Sequence, residues 1–194
     1  MKKALSALPE GCREILSLNL QKDKKTALLV NGLALLIMAV MLVPALLLVP
    51  VAPLLDMSNP PLYFLRWGTL LAGAIAYIIL HEWTHGFVMS RCGASRVKYG
   101  FTGLYAYAGS TDYFPKRAYI TVALAPLVLW GVLLLIVLLL VPEDWFWIAY
   151  GLQIANIGGA AGDIYVVWRF RKLPGDILVR DDGVSMTVFA KEAV

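Results

Sequence analysis

Four long apolar runs constrain the fold of this chain more than any other feature of its sequence. They cover residues 26–49, 62–91, 117–141 and 145–168. A run of about 18 or more apolar residues is long enough to cross a bilayer as a helix. The composition agrees, because 60% of the residues are hydrophobic and only 15% are charged, against about 25% in soluble domains. We therefore predict an all-α polytopic membrane protein with four transmembrane helices.

Proline and glycine residues predict where these helices bend. Pro44 and Pro126 fall inside the first and third runs, and a kink or a break is expected at each because proline lacks a backbone N–H. The fourth run contains Gly158, Gly159 and Gly162. Their small size should let this helix bend or approach a neighbour closely. Asn156, in the same run, is expected to hydrogen-bond across helices or to steady a site.

The apolar runs divide the chain into three regions. Residues 1–25 form a polar N-terminal segment, residues 26–170 a membrane core, and residues 171–194 a polar tail. The N-terminal segment is expected to form a short amphipathic helix on the membrane surface, or else to be partly disordered. The apolar residues of that helix would be Ile15, Leu16, Leu18 and Leu20.

Two polar stretches have the pattern of β-hairpins. Residues 97–101 and 104–108 mix aromatic residues with glycines, which favours a small hairpin-like segment between the second and third helices. An irregular loop is the alternative. In the tail, residues 177–180 and 184–189 flank Asp182-Gly183 and predict a short C-terminal hairpin.

The charges that flank the runs predict the orientation of the chain in the membrane. Basic residues cluster before the first run, after the second, before the third and after the fourth: Lys22, Lys24, Lys25, Arg91, Arg96, Lys98, Lys116, Arg117, Arg169, Arg171 and Lys172. The other two loops carry Asp56, Glu143 and Asp144, with Arg66 as the nearby basic residue. Because cytosolic loops are enriched in lysine and arginine, we expect a multi-pass protein of the cell membrane with both termini in the cytosol.

The second run contains the sequence His81-Glu82-Trp83-Thr84-His85-Gly86, which carries both histidines of the chain. Residues four apart lie on one face of a helix, so the two imidazoles can hold one metal ion. Glu82 projects about 100° round the helix from His81, so it can flank a metal without binding it. This arrangement is typical of the H-E-x-x-H zinc site, in which the glutamate acts as a general base. A pair of packed histidines is the alternative, but ionisable groups in an apolar helix are costly without a partner.

A third metal ligand is expected from the fourth run. His85 precedes Arg91 by six residues, and Asp163 precedes Arg169 by six, which places each about 9 Å from the basic end of its helix. The two side chains should therefore lie at one depth, where Asp163 can complete the three protein ligands of a catalytic zinc. The alternative is a carboxylate that only caps or hydrogen-bonds a broken helix. Asp112, in the polar connection, is the next candidate.

These residues resemble an intramembrane zinc metalloprotease of the site-2 protease type, and more closely the DUF3267 family of zincin peptidases. The resemblance covers roughly residues 62–182. The shared pattern is the H-E-x-x-H-G motif at residues 81–86, a tyrosine-rich segment from Tyr99 to Tyr113, a proline at Pro126 and the pair Gly162-Asp163.

The resemblance implies a zinc-dependent endopeptidase that cuts membrane proteins in or near their transmembrane segments. Its cofactor would be Zn²⁺, with His81, His85 and Asp163 as ligands and Glu82 as the catalytic base. A helical substrate must unwind before cleavage, and residues 97–108 could supply a strand edge that holds it. The expected partners are a membrane-protein or peptide substrate and the lipid bilayer, without nucleic acid. The oligomeric state is left open.

Three other functions fit parts of the sequence. A zinc-binding membrane transporter would also place histidine and carboxylate ligands in helices, but usually on several spans and at several depths. A non-catalytic scaffold could retain the same metal site. A purely structural membrane protein is the third alternative. Metal analysis of the purified protein separates the last of these from the others, and a cleavage assay separates the first two from a peptidase.

Overall fold

The computed structural model describes residues 3–19, 21–103 and 105–191. Its helices are α1 (Lys24–Leu48), α2 (Ala52–Leu55), α3 (Pro60–Arg91), α4 (Lys116–Leu140), α5 (Phe146–Gly159) and α6 (Ala161–Phe170), with a 3-10 turn at Glu143–Trp145. Its strands are β1 (Cys12–Leu18), β2 (Lys98–Phe101), β3 (Ala106–Pro115), β4 (Leu178–Asp181) and β5 (Met186–Lys191). The chain therefore combines a mostly helical body with a five-stranded sheet.

The first three apolar runs form the long helices α1, α3 and α4, each long and apolar enough to cross a membrane. The first two of these helices begin at side-chain caps. The Asp23 carboxylate accepts hydrogen bonds from the backbone N–H groups of Lys25 and Thr26, and the Asn59 side chain accepts one from Leu62. These caps explain why both helices start within two residues of their predicted positions.

The fourth apolar run, predicted as one transmembrane helix, forms two shorter helices in series. Helix α5 has 14 residues and α6 has 10, and they meet at Ala160. In the described ranges, three helices therefore reach spanning length, where four were predicted. Glycine favours such a break, and Gly158 packs so closely on α1 that a Cβ there would lie 2.7 Å from a Met38 side-chain atom. The break places Asp163 in the first turn of α6.

The sheet has the strand order β1-β5-β4-β3-β2, and its neighbouring strands are antiparallel. Both predicted hairpins are confirmed, as the β2–β3 and β4–β5 pairs, although Leu104 of the first lies outside the described residues. Strand β3 extends further than predicted, to Pro115, and its second half pairs with β4. The all-α fold class is therefore wrong in this respect, because hairpins far apart in sequence join into one sheet.

The N-terminal segment forms strand β1, so the prediction of an amphipathic surface helix is wrong. Leu16 and Leu18 are covered while Ser17 between them is exposed, which is the alternation of a strand with one packed face. Strand β1 pairs with β5 near the other end of the chain, and no local pattern shows that partner. Leu20, which also belonged to the predicted helix, lies outside the described residues.

A hydrophobic cluster fastens the sheet to the ends of α3, α4 and α6. It includes Met89, Val122 and Phe170 from the helices and Phe114 and Val188 from the sheet, each at most 1% exposed. The sheet is thereby fixed over the end of the helix bundle that carries the histidine motif.

Candidate metal centre

The two histidines lie on one face of α3 and point at the same space. The Nε2 atoms of His81 and His85 are 3.1 Å apart, and both residues are buried. Two imidazole nitrogens this close repel each other when both carry lone pairs, and they stabilise each other only through a shared proton or a shared cation. The spacing of four residues therefore gives the local geometry that the sequence predicts.

Asp163 completes the group from α6. Its Oδ2 atom lies 3.4 Å from His81 Nε2, and its Oδ1 atom lies 3.5 Å from His85 Nε2. One ligand atom from each of the three residues lies within 4.8 Å of the others, which is close enough for one metal ion. The break between α5 and α6 makes this possible, because it places the carboxylate at a helix start instead of within a continuous span.

The orientation of His85 is fixed by a backbone carbonyl. His85 Nδ1 lies 3.0 Å from the carbonyl oxygen of Val122 in α4. A carbonyl only accepts hydrogen bonds, so Nδ1 carries the proton and Nε2 presents its lone pair to the site. The Val122 carbonyl is available because residue 126, whose N–H would otherwise bond to it, is a proline. Pro126 inside α4 therefore frees the carbonyl that orients His85.

A series of hydrogen bonds between side chains orients His81. Its Nδ1 atom lies 2.7 Å from the Tyr77 hydroxyl. That hydroxyl donates to Asn156 Oδ1 at 3.1 Å, and Asn156 Nδ2 donates to the Leu127 carbonyl at 3.3 Å. Because the Tyr77 proton is directed to Asn156, the Tyr77 oxygen accepts from His81 Nδ1, and His81 Nε2 is again the free nitrogen. Asn156 therefore both joins helices and supports the site.

Glu82 faces the same cavity without joining the group of three. The cavity has a volume of about 270 Å³ and is lined by the histidines, Glu82 and Asp163, together with residues of α1, α4 and the sheet. Ala108 of β3 lines the same cavity as Glu82. The carboxylate of Glu82 therefore lies beside the histidines and across from the strand.

Asp112, the second candidate for the third ligand, is occupied elsewhere. Its Oδ2 atom accepts hydrogen bonds from the Ser95 backbone N–H at 2.5 Å and from the Ser95 hydroxyl at 2.7 Å, and from the Ser110 hydroxyl at 3.3 Å. Burial opposes its ionisation, but these hydrogen bonds outweigh that effect and lower the pKa of Asp112. Asp112 thus holds the turn after α3 to β3.

The donor set fits zinc. Two neutral imidazole nitrogens and one carboxylate oxygen are the ligands of a three-residue catalytic zinc site, which keeps a position open for another molecule. Both imidazoles have a hydrogen-bond partner on the opposite nitrogen, as metal-binding histidines usually do. The Asp163 side chain is 22% exposed, so the centre can be reached from the cavity.

The fold and the centre together define a class: a mostly helical protein, with three helices long and apolar enough to cross a membrane, that contains a two-histidine, one-aspartate cluster and a glutamate beside it. A family model described as "Putative zincin peptidase", DUF3267, matches residues 74–178, which is more than half of the chain. The protein belongs to this family. The match includes His81, Glu82, His85 and Asp163. No curated protein and no solved structure is significantly similar to the chain.

Proposed function

We propose that this protein is a zinc-dependent endopeptidase that hydrolyses peptide bonds in or near the transmembrane segments of membrane proteins. The observation that carries the proposal is the convergence of His81, His85 and Asp163 in one cavity with Glu82 beside them. The family description supports the reaction class. The three apolar helices support a site at the membrane.

Each residue of the centre then has a separate role. His81, His85 and Asp163 would hold a zinc ion, which would supply a Lewis acid for the peptide carbonyl and for the attacking water. Glu82 takes a proton from the attacking water and delivers it to the leaving amine. Tyr77 and the Val122 carbonyl keep the two imidazoles in the tautomer whose Nε2 atom is free.

Strand β3 offers a binding edge for an unwound substrate. Strand β2 pairs with residues 106–109 of β3 on one side, whereas β4 pairs with β3 only from Ser110 onwards in the described residues. Ala106, Tyr107 and Ala108 line the cavity that Glu82 also lines. An extended peptide can add to such an edge through main-chain hydrogen bonds, which would place a scissile bond beside the glutamate.

The proposal is tested with the protein purified in detergent and a panel of transmembrane peptides. Glu82→Gln should retain the metal and lose cleavage, because an amide cannot accept the proton. Asp176→Asn is the matched control, since Asp176 is an exposed carboxylate outside the cavity and its loss should change neither property. Full cleavage by Glu82→Gln, or loss of metal together with activity, would exclude the proposed role of Glu82.

A further inference from the structure

The wall of the cavity that faces away from α3 carries a carboxylate that the proposed reaction does not use. Asp181, at the end of β4, lines the same cavity as the histidines and Glu82. Its Oδ2 atom accepts a hydrogen bond from the Tyr119 hydroxyl, and its Oδ1 atom accepts one from the Gly183 backbone N–H at 2.9 Å. Both donors are neutral. Asp181 also lies beyond the end of the family match at residue 178.

The charges around the cavity leave Asp181 uncompensated. Among the described residues that line it, three are carboxylates and none is lysine or arginine. A divalent zinc ion would balance Asp163 and Glu82, which leaves the charge of Asp181. The adjacent Arg180 does not neutralise Asp181. Neighbouring residues of a strand point to opposite faces, and the Arg180 guanidinium lies over the Tyr113 ring, 5.9 Å from the ring centroid. Burial raises the pKa of Asp181 and outweighs the hydrogen bonds from Tyr119 and Gly183, which lower it.

Tyr119 holds the Asp181 carboxylate in a fixed orientation. The Tyr119 ring packs against Phe170 and Phe114, with centroid distances of 5.7 and 6.4 Å, so its hydroxyl is held in place at the cavity wall. It fixes one oxygen of Asp181, while the turn after β4 fixes the other. An oriented carboxylate has further lone pairs with which to accept hydrogen bonds from a bound group.

We propose that Asp181, positioned by Tyr119, is the specificity-determining residue of a subsite for a cationic group of the peptide substrate. The group is an ammonium or guanidinium, from a lysine or arginine side chain or from a free amino terminus. The proposal rests on the peptidase function proposed above. The acceptor is a carboxylate inside a cavity of about 270 Å³ that also contains the reacting residues, so the cation must belong to the part of the substrate next to the scissile bond.

The test measures peptide binding in place of turnover. Zinc-loaded protein with Glu82 intact, which keeps the charge balance above, is titrated with three fluorescent ten-residue peptides of alanine and leucine, and binding is read by stopped flow before cleavage. The first is blocked at both ends and carries one lysine. The second is identical but has norleucine for lysine, and the third is the norleucine peptide with a free amino terminus. A scan of the lysine through each position finds the register.

A cationic peptide should bind about tenfold or more tightly than the blocked norleucine peptide, since hydrogen bonds between charged groups are stronger than neutral ones. Adding Asp181→Asn should abolish that advantage and leave norleucine binding unchanged, which also shows that the variant folds. Asp176→Asn should retain the advantage, because Asp176 lies outside the cavity. Tyr119→Phe should reduce it, because Asp181 then loses the hydrogen bond that fixes one of its oxygens. Comparison of the lysine peptide with the norleucine peptide that has a free amino terminus shows whether the subsite takes a side-chain cation or the terminal ammonium.

Equal binding of the three peptides to the zinc-loaded protein that retains Asp181 would overturn the subsite, and so would an advantage that survives Asp181→Asn. Neither result bears on the proposed reaction, which is tested separately by cleavage with the unsubstituted protein and by metal content. If no peptide is cleaved but lysine peptides still bind through Asp181, the peptidase proposal fails while the cation subsite stands.

Discussion

At the scale of single residues, the candidate centre depends on groups that do not themselves bind metal. An imidazole can rotate and can carry its proton on either nitrogen, so a pair of histidines four residues apart is not yet a ligand pair. The Val122 carbonyl fixes His85, and the Tyr77–Asn156 chain fixes His81. These partners present both Nε2 atoms to Asp163. Their loss should therefore be measurable as metal affinity.

Tyr77→Phe should lower the affinity for zinc by about tenfold or more, since a second-shell partner of a metal-binding histidine typically contributes 10–100-fold. The affinity is measured by competition with a chelator of known strength. Tyr63→Phe is the matched control, because Tyr63 lies on the same helix and makes ring contacts at its far end. Equal affinities in the two variants would mean that the Tyr77 hydroxyl does not orient His81.

The sequence predicts part of this residue-scale arrangement. His81, Glu82 and His85 follow from helical spacing, and Asp163 follows from matched depth. Tyr77 could have been found by the same rule, because it precedes His81 by four residues and so shares its face. The Val122 carbonyl and Asp181 could not, since their proximity depends on how α4 and the sheet pack on α3.

At the scale of secondary-structure elements, the residues that bend or interrupt a helix determine the geometry of the candidate centre. Pro126 in α4 supplies no N–H to the carbonyl four residues earlier, and that carbonyl holds His85. The glycines before Ala160 end α5 and let α6 begin just ahead of Asp163. The sequence indicates a special position at both places. That the break between α5 and α6 brings Asp163 to the two histidines is evident only from how the helices pack.

Pro126→Ala should weaken zinc binding. The alanine N–H would bond to the Val122 carbonyl within α4 and compete with His85 Nδ1, while the helix itself should become more regular. Pro44→Ala is the control, because Pro44 lies inside α1 and is exposed, away from the centre. Chelator competition on both variants checks this prediction. Equal zinc affinity in Pro126→Ala and Pro44→Ala would show that the freed carbonyl has no such role.

The helices were predictable at this scale and the sheet was only partly so. Length, hydropathy and capping residues are local properties, and they place α1, α3 and α4 within about two residues of the observed bounds. Each β-hairpin is also local and was predicted. Strand β1 was not, because its short apolar segment fits a helix or a strand equally well until β5 provides a partner.

At the scale of the whole molecule, Arg66 is the one basic residue that does not fit the charge distribution used to orient the chain. It is 3% exposed. Its guanidinium donates to the Pro53 carbonyl at 2.6 Å and to Asp144 Oδ2 at 2.9 Å. Arg66 therefore links α3 to both of the loops at the end of the bundle far from the sheet, and this paired charge does not argue against the proposed orientation.

The proposed topology places that end outside the cell and the sheet in the cytosol. In a variant whose two cysteines are replaced by serine, Glu143→Cys should react with a membrane-impermeant thiol reagent in intact cells. Lys24→Cys and Lys191→Cys, both exposed in the folded chain, should react only after the cells are opened. The reverse pattern of labelling would invert the topology and move the centre to the other face of the membrane.

The central claim, that His81, His85 and Asp163 hold a zinc ion, is tested most directly by the metal content of the purified protein. The unsubstituted protein should contain about one zinc per chain. Asp163→Asn preserves the size of the side chain but removes its charge, so it should lose nearly all of the metal, while Asp176→Asn should retain it. Zinc bound as tightly by Asp163→Asn as by the unsubstituted protein would contradict the claim.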